Sequence, residues 1–241
     1  MRIAYSGDQR IDIHEYDTYL MTCKELGIEP FLTCAEGHQV IARRGDKNVH
    51  HFAHKAHTSC SCHDNKGTWH TSWQDRVVKE AREVRMRGDE KLHVADICIP
   101  VDKLPTPCYY KGYVIELQHS CMNIQTIQER EKFYTSQGYN LIWIFDCSID
   151  WEYKIIRRYK SPHREEIAIR RVRGRDFHMH AQYSGNVLKF LDFNKNSLFM
   201  VTKQSGSMIT GVVVPIEEFD LKYLGSYACS NRDMRPFHHS M

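Results

Sequence analysis

A short, continuous apolar segment constrains the fold of this 241-residue chain more than any other feature. The run NLIWIFD, residues 140–146, lacks the alternation of polar and apolar residues that marks a half-exposed strand. Such a run is expected for a strand that is covered on both faces. The chain is also long enough for one sizeable domain, or for one domain with appendages. The sequence therefore predicts a buried strand at residues 140–146.

The preceding segments predict the elements around this strand. Residues 68–85, TWHTSWQDRVVKEAREVR, repeat apolar side chains every three or four positions, which predicts one helix; the positions are Trp69, Trp73, Val77, Ala81 and Val84. Residues 93–99 and 113–120 have strand patterns. Residues 123–138 predict a helix that Asn123 caps and Gly138 ends. The predicted order is helix, strand, strand, helix, strand.

Polar residues interrupt both of these predicted strands. Glu116 and Gln118 lie two apart in YVIELQHS and so share a face, and Asp96 interrupts HVADICI. Two carboxylates on adjacent strands form an oxygen-ligand site suited to Mg²⁺, which activates water and polarises a phosphoryl oxygen. Gln118 has no basic group, but its amide is able to orient a water molecule. The alternative is that Asp96 and Glu116 are solvent-facing strand residues.

Six short motifs follow one another in a recognisable order. They are HFAH at residues 51–54, WHTSWQ at 69–74, Asp96 in HVADICI, IELQHS at 115–120, the pair Arg130 and Tyr134, and WIFD from Trp143. An acid followed by E-x-[KQ] within a helix-strand-strand-helix-strand core resembles the PD-(D/E)XK nuclease superfamily. The order of the motifs is similar to that of CoiA-type competence proteins, over roughly residues 34–146.

The resemblance implies an α/β (α+β) fold with a PD-(D/E)XK core and a metal-dependent nuclease activity on DNA, with RNA as a second choice. It implies that Asp96 and Glu116 hold Mg²⁺ or Mn²⁺ and that Gln118 positions water. Arg130 and Tyr134 then assist at the phosphate or the metal, unless Tyr134 only packs and Arg130 pairs with a surface acid.

Two positions depart from the family pattern. Lys66 stands where the family usually has a glutamate that completes the metal site, and Gln74 stands where it has a lysine. His70 and Glu80 are the alternative third ligands. The loss of that glutamate keeps a rival function open, namely a catalytically inactive nucleic-acid-binding or scaffold protein with a nuclease-like fold.

The N-terminal region is rich in potential zinc ligands. Seven histidines and three cysteines lie between Cys34 and His70. The expected zinc ligands are Cys34, His54 and Cys60, with His38 and Cys62 as alternatives. A zinc-dependent nucleic-acid-binding module is thus a further rival. Two other readings remain: a histidine-rich surface with Phe52 packed inward, or contact of His51 and His54 with nucleic acid.

The C-terminal region is basic and patterned for strands. Residues 157–175 hold eight Lys or Arg against two Glu, which predicts either a solvated face or a phosphate-binding surface. The expected nucleic-acid contacts are Arg157, Arg158, Lys160, Arg170, Arg171, Arg173 and Arg175. Residues 197–216 predict a hairpin turned at Ser205-Gly206.

These patterns divide the chain into an N-terminal His/Cys-rich region (1–67), a nuclease core (68–150) and a basic, β-rich extension (151–241). No apolar run approaches the roughly 20 residues that span a bilayer, and no signal-peptide stretch is evident. We therefore expect a soluble, cytoplasmic protein without membrane contact, whose cysteines are thiols or metal ligands. The expected partner is DNA, with a second copy of the chain or another protein as further alternatives.

Overall fold

The computed structural model describes residues 2–45, 50–55, 67–88, 91–104, 109–120, 122–147, 152–161, 164–173 and 187–228. The chain forms two compact units. One comprises Met1–Gly67 with Arg85–Val94, and the other comprises Thr68–Val84 with Ala95–Met241. The division into three regions that the sequence suggested stays a prediction.

The N-terminal unit contains two small antiparallel hairpins and one helix. Its elements are β1 (Ile3–Ser6), β2 (Gln9–Asp12), α1 (Tyr16–Glu25), β3 (Val40–Arg43) and β4 (His51–His54). A small apolar core holds them together, and Phe52 of β4 is among its most buried side chains. The sequence HFAH therefore forms a strand whose phenylalanine points into the core.

Most of one large sheet belongs to the second unit, and its stretch Arg85–Val94 belongs to the first. The elements of the second unit and of this sheet are α2 (Thr68–Gln74), β5 (Arg82–Arg87), β6 (Leu92–Pro100), β7 (Gly112–Gln118), α3 (Ile124–Ser136), β8 (Asn140–Asp146), β9 (Glu152–Ser161), β10 (Arg164–Arg173), β11 (Val187–Lys195), β12 (Ser197–Ser205), β13 (Met208–Pro215) and α4 (Ile216–Phe219). The strand order is β5-β6-β7-β8-β11-β12-β13-β10-β9. Strands β7, β8 and β11 are parallel, whereas β6–β7 and the pairs from β11 to β9 are antiparallel.

The centre of this sheet follows the sequence closely. Residues Leu141 to Asp146 of β8 are all buried, as the apolar run predicts. Asn123 caps α3 by accepting the N–H of Thr126 at 2.7 Å, and Gly138 takes a positive φ of 85° just after the helix. The expected mixed α/β class is confirmed.

The helix predicted over residues 68–85 is wrong beyond its first two turns. α2 ends at Gln74, and Arg82 already begins β5, so a strand lies between the first helix and β6. The Arg82 guanidinium donates to the carbonyl of Val77 at 2.9 and 2.6 Å, and the N–H of Val78 donates to Tyr227 at 3.0 Å. These bonds take up backbone groups that a continuing helix would need.

The C-terminal half of the second unit is β-rich, as expected. Ser205 pairs with Met208, so Gly206 and Ser207 form the two-residue turn of the β12–β13 hairpin. Gly206 has a φ of 57°, which suits this kind of turn. Within the described residues, none of the helices combines the length and the apolar character needed to cross a membrane.

Candidate active site

Strands β6 and β7 pair tightly at one end and exchange a side-chain contact at the other. Their ladder runs from Pro100 with Gly112 to Ile97 with Ile115. A Cβ on Gly112 would lie 2.0 Å from the carbonyl oxygen of Ile99, so this close approach requires glycine. Just beyond the ladder, the Asp96 carboxylate accepts the backbone N–H of Leu117 at 3.0 Å. Asp96 is thereby fixed beside the strand that carries Glu116.

The Glu116 carboxylate is buried and held by two donors from α3. The Tyr134 hydroxyl donates to Oε1 at 2.6 Å, and the Arg130 guanidinium donates to Oε2. Arg130 and Tyr134 lie four apart and so project from the same side of the helix. Glu116 is 1% exposed, which makes these charge-assisted bonds a large part of what keeps it in place.

The electrostatics of this group follow from its burial. Burial raises the pKa of Glu116, Arg130 opposes that rise, and the Asp96 charge adds to it. The Glu116 carboxylate in turn raises the pKa of Arg130. Burial, reinforced by Glu116, raises the pKa of Tyr134 well above its ordinary value. The centre therefore favours an added cation, because the two acids destabilise each other's charge.

α2 brings His70 to the same place. His70 is buried, and its Nε2 lies 3.2 Å from Asp96 Oδ1 without the geometry of a hydrogen bond. That nitrogen has no hydrogen-bond partner among the residues that the structure describes. Gln74, also on α2 and fully buried, donates to the Asp96 carbonyl at 3.4 Å. Of the two alternative third ligands, His70 lies at Asp96, whereas Glu80 is exposed in a helical turn beyond α2.

Asp192, at the last position where β11 pairs with β8, anchors α2 to the sheet. Its Oδ2 accepts the indole N–H of Trp69 and that of Trp73, both at 2.9 Å. Trp69 directly precedes His70, so the carboxylate fixes the helix on both sides of that histidine. Nothing in the sequence around Asp192 signals this role, because its partners lie more than 115 positions earlier.

The end of β7 carries two further polar residues. Gln118 is 7% exposed, and its amide donates to the carbonyl of Ser120 and, at 3.3 Å, to the Ser120 hydroxyl. The next residue, His119, has Nδ1 2.6 Å from Oδ2 of Asp146, which is fully buried at the end of β8. His119 stands within the motif IELQHS, but neither its spacing nor its sequence neighbours indicate the contact with Asp146.

The structure thus groups five of the six predicted catalytic residues: His70 contacts Asp96, Arg130 and Tyr134 bond to Glu116, and Asp96 bonds to the N–H of Leu117, next to Glu116. Gln118 lies two residues from Glu116 on the same strand and contacts Ser120 instead. Lys66, the departure from the family pattern, lies outside the described residues. The catalytic roles themselves stay predictions.

The predicted nucleic-acid contacts lie on the β9–β10 hairpin, distributed over both faces. Arg157 pairs with Ala168 and Arg158 with Ile167, and neighbouring residues of a strand point to opposite faces. The face of Ala168 carries Arg157, Arg170, Lys154 and, through Thr210 of β13, Lys203. The face of Ile167 carries Arg158, Lys160 and Arg171.

Two residues of the predicted set remain, Arg173 and Arg175. Arg173 pairs with Glu152 beyond an irregularity in the hairpin register, and its side chain is exposed. Arg175 lies outside the described residues. The six described residues of this set therefore do not form one continuous stripe along the chain.

A second cluster of ligand-type side chains lies in the N-terminal unit. One ligand atom each from Cys34, His38 and His54 falls within 4.8 Å of the others. Cys34 and His54 are buried, and the Cys34 Sγ lies 3.6 Å from His38 Nδ1. The sequence named Cys34 and His54 and gave His38 as an alternative; Cys60 and Cys62 lie outside the described residues. Three such groups in one place are able to hold a metal ion.

Comparison with known protein families gives one match. The family model of the competence protein CoiA nuclease-like domain matches residues 104–224, about half of the chain. The matched segment includes Glu116, Gln118, Arg130 and Tyr134, while Asp96 and His70 precede it. No curated protein and no solved structure matches the chain. The resemblance seen in the sequence is therefore confirmed, and the chain belongs to the competence protein CoiA family with its nuclease-like domain.

Proposed function

We propose that this protein is a divalent-metal-dependent nuclease that hydrolyses phosphodiester bonds of DNA. One observation carries the proposal: Asp96 and Glu116, on adjacent strands, share a buried centre with the His70 imidazole. Family membership supports a nuclease-like domain in general terms. The metal requirement and the choice of DNA are specific to the proposal.

The side chains of this centre fit a divalent cation. Two carboxylates supply the oxygen ligands that Mg²⁺ and Mn²⁺ prefer, and each carboxylate oxygen has two lone pairs, so the observed donors do not exhaust them. The buried Nε2 of His70, which lacks a hydrogen-bond partner in the described part of the chain, is the third candidate ligand. When bound, the ion supplies charge that stabilises a phosphoryl group under attack and makes water more acidic.

The other residues of the centre act on the substrate and on the acids. Arg130 and Tyr134 hold Glu116 in one orientation. The Arg130 guanidinium, which contacts this acid, is also the cation that a substrate phosphate contacts. Gln118 orients the attacking water through its amide, although its carboxamide accepts no proton. Basic residues of the β9–β10 hairpin bind the flanking phosphates and displace their counterions.

Cleavage assays with isosteric variants test this function. We expect the parent protein to cleave linear or circular DNA with Mg²⁺ or Mn²⁺ and not with a chelator, with single-stranded DNA and RNA as comparison substrates. Asp96→Asn and Glu116→Gln preserve side-chain shape and are expected to reduce cleavage at least a hundredfold. Asp102→Asn, at an acid that is 65% exposed in the turn after β6, is the matched control. Equal cleavage by all four proteins would contradict the site.

Thermal melting separates this proposal from an inactive nuclease-like module. A metal that binds only the folded protein raises Tm in proportion to ln(1 + [metal]/Kd). We expect Mn²⁺ to raise Tm in the parent and in Asp102→Asn but not in Asp96→Asn. A protein that binds DNA without cleavage and shows no metal-dependent shift would instead be the inactive module.

The Cys34, His38 and His54 cluster supports a second, structural metal. We propose that it holds Zn²⁺, because a thiolate and two imidazoles are ligands that zinc prefers over Mg²⁺. Zinc at this position would tie the segment after α1 to β4 in a unit whose apolar core is small.

A further inference from the structure

The Ala168 face of the β9–β10 hairpin carries an aromatic residue that phosphate contact does not explain. Tyr159 lies opposite Glu166 in the hairpin register, and it shares this face with Arg157, two residues or about 7 Å away along β9. Tyr159 is 61% exposed. Its ring adds apolar area to a surface on which phosphates need only the cations. A ligand that also presents a flat apolar group therefore fits this surface better than phosphate alone.

The cations of this face favour a bound anion. Lys154 lies directly opposite Arg170, and like charges in that position destabilise a hairpin. The Arg170 guanidinium donates to Met208 Sδ at 3.4 Å, which is a weak acceptor. On the opposite face, by contrast, Arg158 pairs with Glu165 at 3.0 Å. A phosphate bound near Lys154 and Arg170 therefore relieves their repulsion.

The surface charge of this face stays positive although it includes an acid. Glu166 is half-buried, whereas the four cations Lys154, Arg157, Arg170 and Lys203 are exposed. Ala168, opposite Arg157, is small, so it leaves the surface between the long side chains flat. The face thus combines an exposed ring, exposed cations and a flat surface.

This combination fits a single strand of nucleic acid better than a duplex. In a duplex the bases stack on one another, so a protein ring on the outside has no base face to contact. In a single strand each base has a π face that stacks on an aromatic ring, while Lys and Arg bind the backbone. β9 is also the last strand in the order of the sheet, so no further strand of the described chain flanks Tyr159 on that side.

We propose that the Ala168 face of the β9–β10 hairpin binds single-stranded DNA, with one base stacked on Tyr159 and neighbouring phosphates on Lys154, Arg157 and Arg170. The choice of DNA as the ligand rests on the proposed nuclease function, whereas the single-stranded form and the base contact go beyond it. β9 lies six strand spacings from β7, about 29 Å. Tyr159 therefore contributes to substrate binding and not to the chemical step.

Binding assays in a chelator test this surface without cleavage. The probes are an oligothymidylate of about 20 nucleotides, an abasic single strand with the same number of phosphates, and a duplex of the same length. We expect the parent to bind the thymidylate more tightly than the abasic strand. Tyr159→Ala should weaken binding of the thymidylate about 5- to 150-fold, as the loss of one stacked base predicts, and leave binding of the other two probes unchanged.

Conservative and distant variants separate stacking from other effects. Tyr159→Phe retains the ring and should bind the thymidylate as the parent does. Tyr109→Ala, at a fully exposed tyrosine outside the hairpin, should also behave as the parent. The slope of log Kd against log [salt] should be the same in Tyr159→Ala and in the parent, because no phosphate contact is removed. An equal Tm in the two proteins excludes unfolding as the cause of weaker binding.

Cleavage assays in Mg²⁺ then separate this inference from the nuclease function. Tyr159→Ala should raise KM for single-stranded DNA with little change in kcat. Parent-like affinity of Tyr159→Ala for the thymidylate overturns the inference and leaves the nuclease function standing; it is the result expected if this face contacts a protein. An equal loss of affinity for the abasic strand also overturns it, because Tyr159 would then only support the hairpin. A parent that binds the thymidylate through Tyr159 but cleaves no substrate supports this inference and overturns the nuclease proposal.

Discussion

The Tyr134 hydroxyl donates a hydrogen bond of 2.6 Å to Oε1 of Glu116, and both groups are buried. A tyrosine with this bond does more than fill the space between α3 and the sheet. It compensates part of the free-energy cost of burying a carboxylate, together with Arg130. Removing the hydroxyl alone therefore measures how much this hydrogen bond contributes to the stability of the buried Glu116 carboxylate.

We expect Tyr134→Phe to lower the free energy of unfolding by about 1–3 kcal/mol without metal, because a buried acceptor loses its donor. The Mn²⁺-induced rise in Tm should be larger than in the parent, since the ion then supplies the missing compensation. Urea unfolding and thermal melting with and without Mn²⁺ measure both effects. Tyr159→Phe, at a side chain that is 61% exposed, is the control. Parent-like stability of Tyr134→Phe would contradict this account.

The two indole bonds to Asp192 predict a positioning role at a distance from the acids. α2 has only seven residues and would be marginal by itself, so its placement depends on anchors. Asp192→Ala leaves two indole donors unsatisfied and is expected to cost about 2–5 kcal/mol of stability. It should also weaken Mn²⁺ binding, because His70 loses its fixed position beside Asp96.

Isothermal titration with Mn²⁺ and urea unfolding check this prediction. Asp192→Asn retains a carbonyl acceptor and should recover much of the stability and of the metal affinity. Asp102→Ala, which removes an exposed acid, should change neither quantity. If Asp192→Ala lost stability but bound Mn²⁺ as the parent does, Asp192 would serve only the packing of α2.

Local patterns explain how much of this structure could be predicted from its sequence. The apolar run of β8, the Asn123 cap and Gly138 each act within a few residues, so the sequence alone indicates them. The end of α2 is different, because the N–H of Val78 bonds to Tyr227, 149 positions away in the chain. The partners of Asp192 and of Asp146 also lie far away in the sequence, so local patterns do not indicate them.

The N-terminal cluster predicts stoichiometric zinc. Elemental analysis of the purified protein should find about one Zn²⁺ per chain, bound by Cys34, His38 and His54. Cys34→Ser and His54→Ala should each lose the ion and lower Tm, because the binding free energy of a structural zinc contributes to folding. Cys98→Ser, at a buried thiol in β6, controls for the loss of a cysteine. Zinc-free parent protein with unchanged Tm after chelation would refute the site.

A buried ion pair between α3 and β11 predicts an unusual dependence of stability on pH. Lys189 Nζ lies 3.6 Å from Glu131 Oε1, which also accepts the Trp143 indole N–H at 3.0 Å. Burial raises the pKa of Glu131 to about 7, and burial lowers the pKa of Lys189 to about 8. In each case the folded chain therefore favours the uncharged form of the group more than the unfolded chain does.

The sign of each contribution follows from proton uptake. Between about pH 4.5 and 7 the folded chain keeps the Glu131 proton that the unfolded chain loses, so this group's stabilisation falls as pH rises. Between about pH 8 and 10.5 the folded chain has lost the Lys189 proton that the unfolded chain keeps, so stability recovers. The contribution of the pair to the free energy of unfolding is therefore smallest near pH 7–8.

We expect the double variant Glu131→Gln/Lys189→Met to flatten this pH dependence and to match or exceed the parent's stability near pH 7.5. Urea unfolding at pH 5, 7.5 and 9.5 measures it. Lys189→Met alone should be destabilising, because it leaves Glu131 buried without its cation. The prediction fails if the double variant and the parent have the same pH profile.

The two faces of the β9–β10 hairpin predict different effects on DNA binding. The face of Ala168 carries four cations, Lys154, Arg157, Arg170 and Lys203, all of them exposed. On the face of Ile167, Arg158 already pairs with Glu165 at 3.0 Å, and Ile167 itself is buried. We therefore expect the first face to contact phosphates.

Charge-reversal pairs of equal size separate the faces. Lys154→Glu/Arg170→Glu should weaken DNA binding and lower the slope of log Kd against log [salt] by about 2. Arg158→Glu/Lys160→Glu should have a smaller effect on both quantities.

The length of DNA needed to reach this hairpin gives a second test. β10 lies five strand spacings from β7, about 24 Å or seven base pairs. A duplex too short to cover that distance should bind the parent and the first variant equally. Equal losses from both variants on long DNA would show that the hairpin attracts DNA without a preferred face.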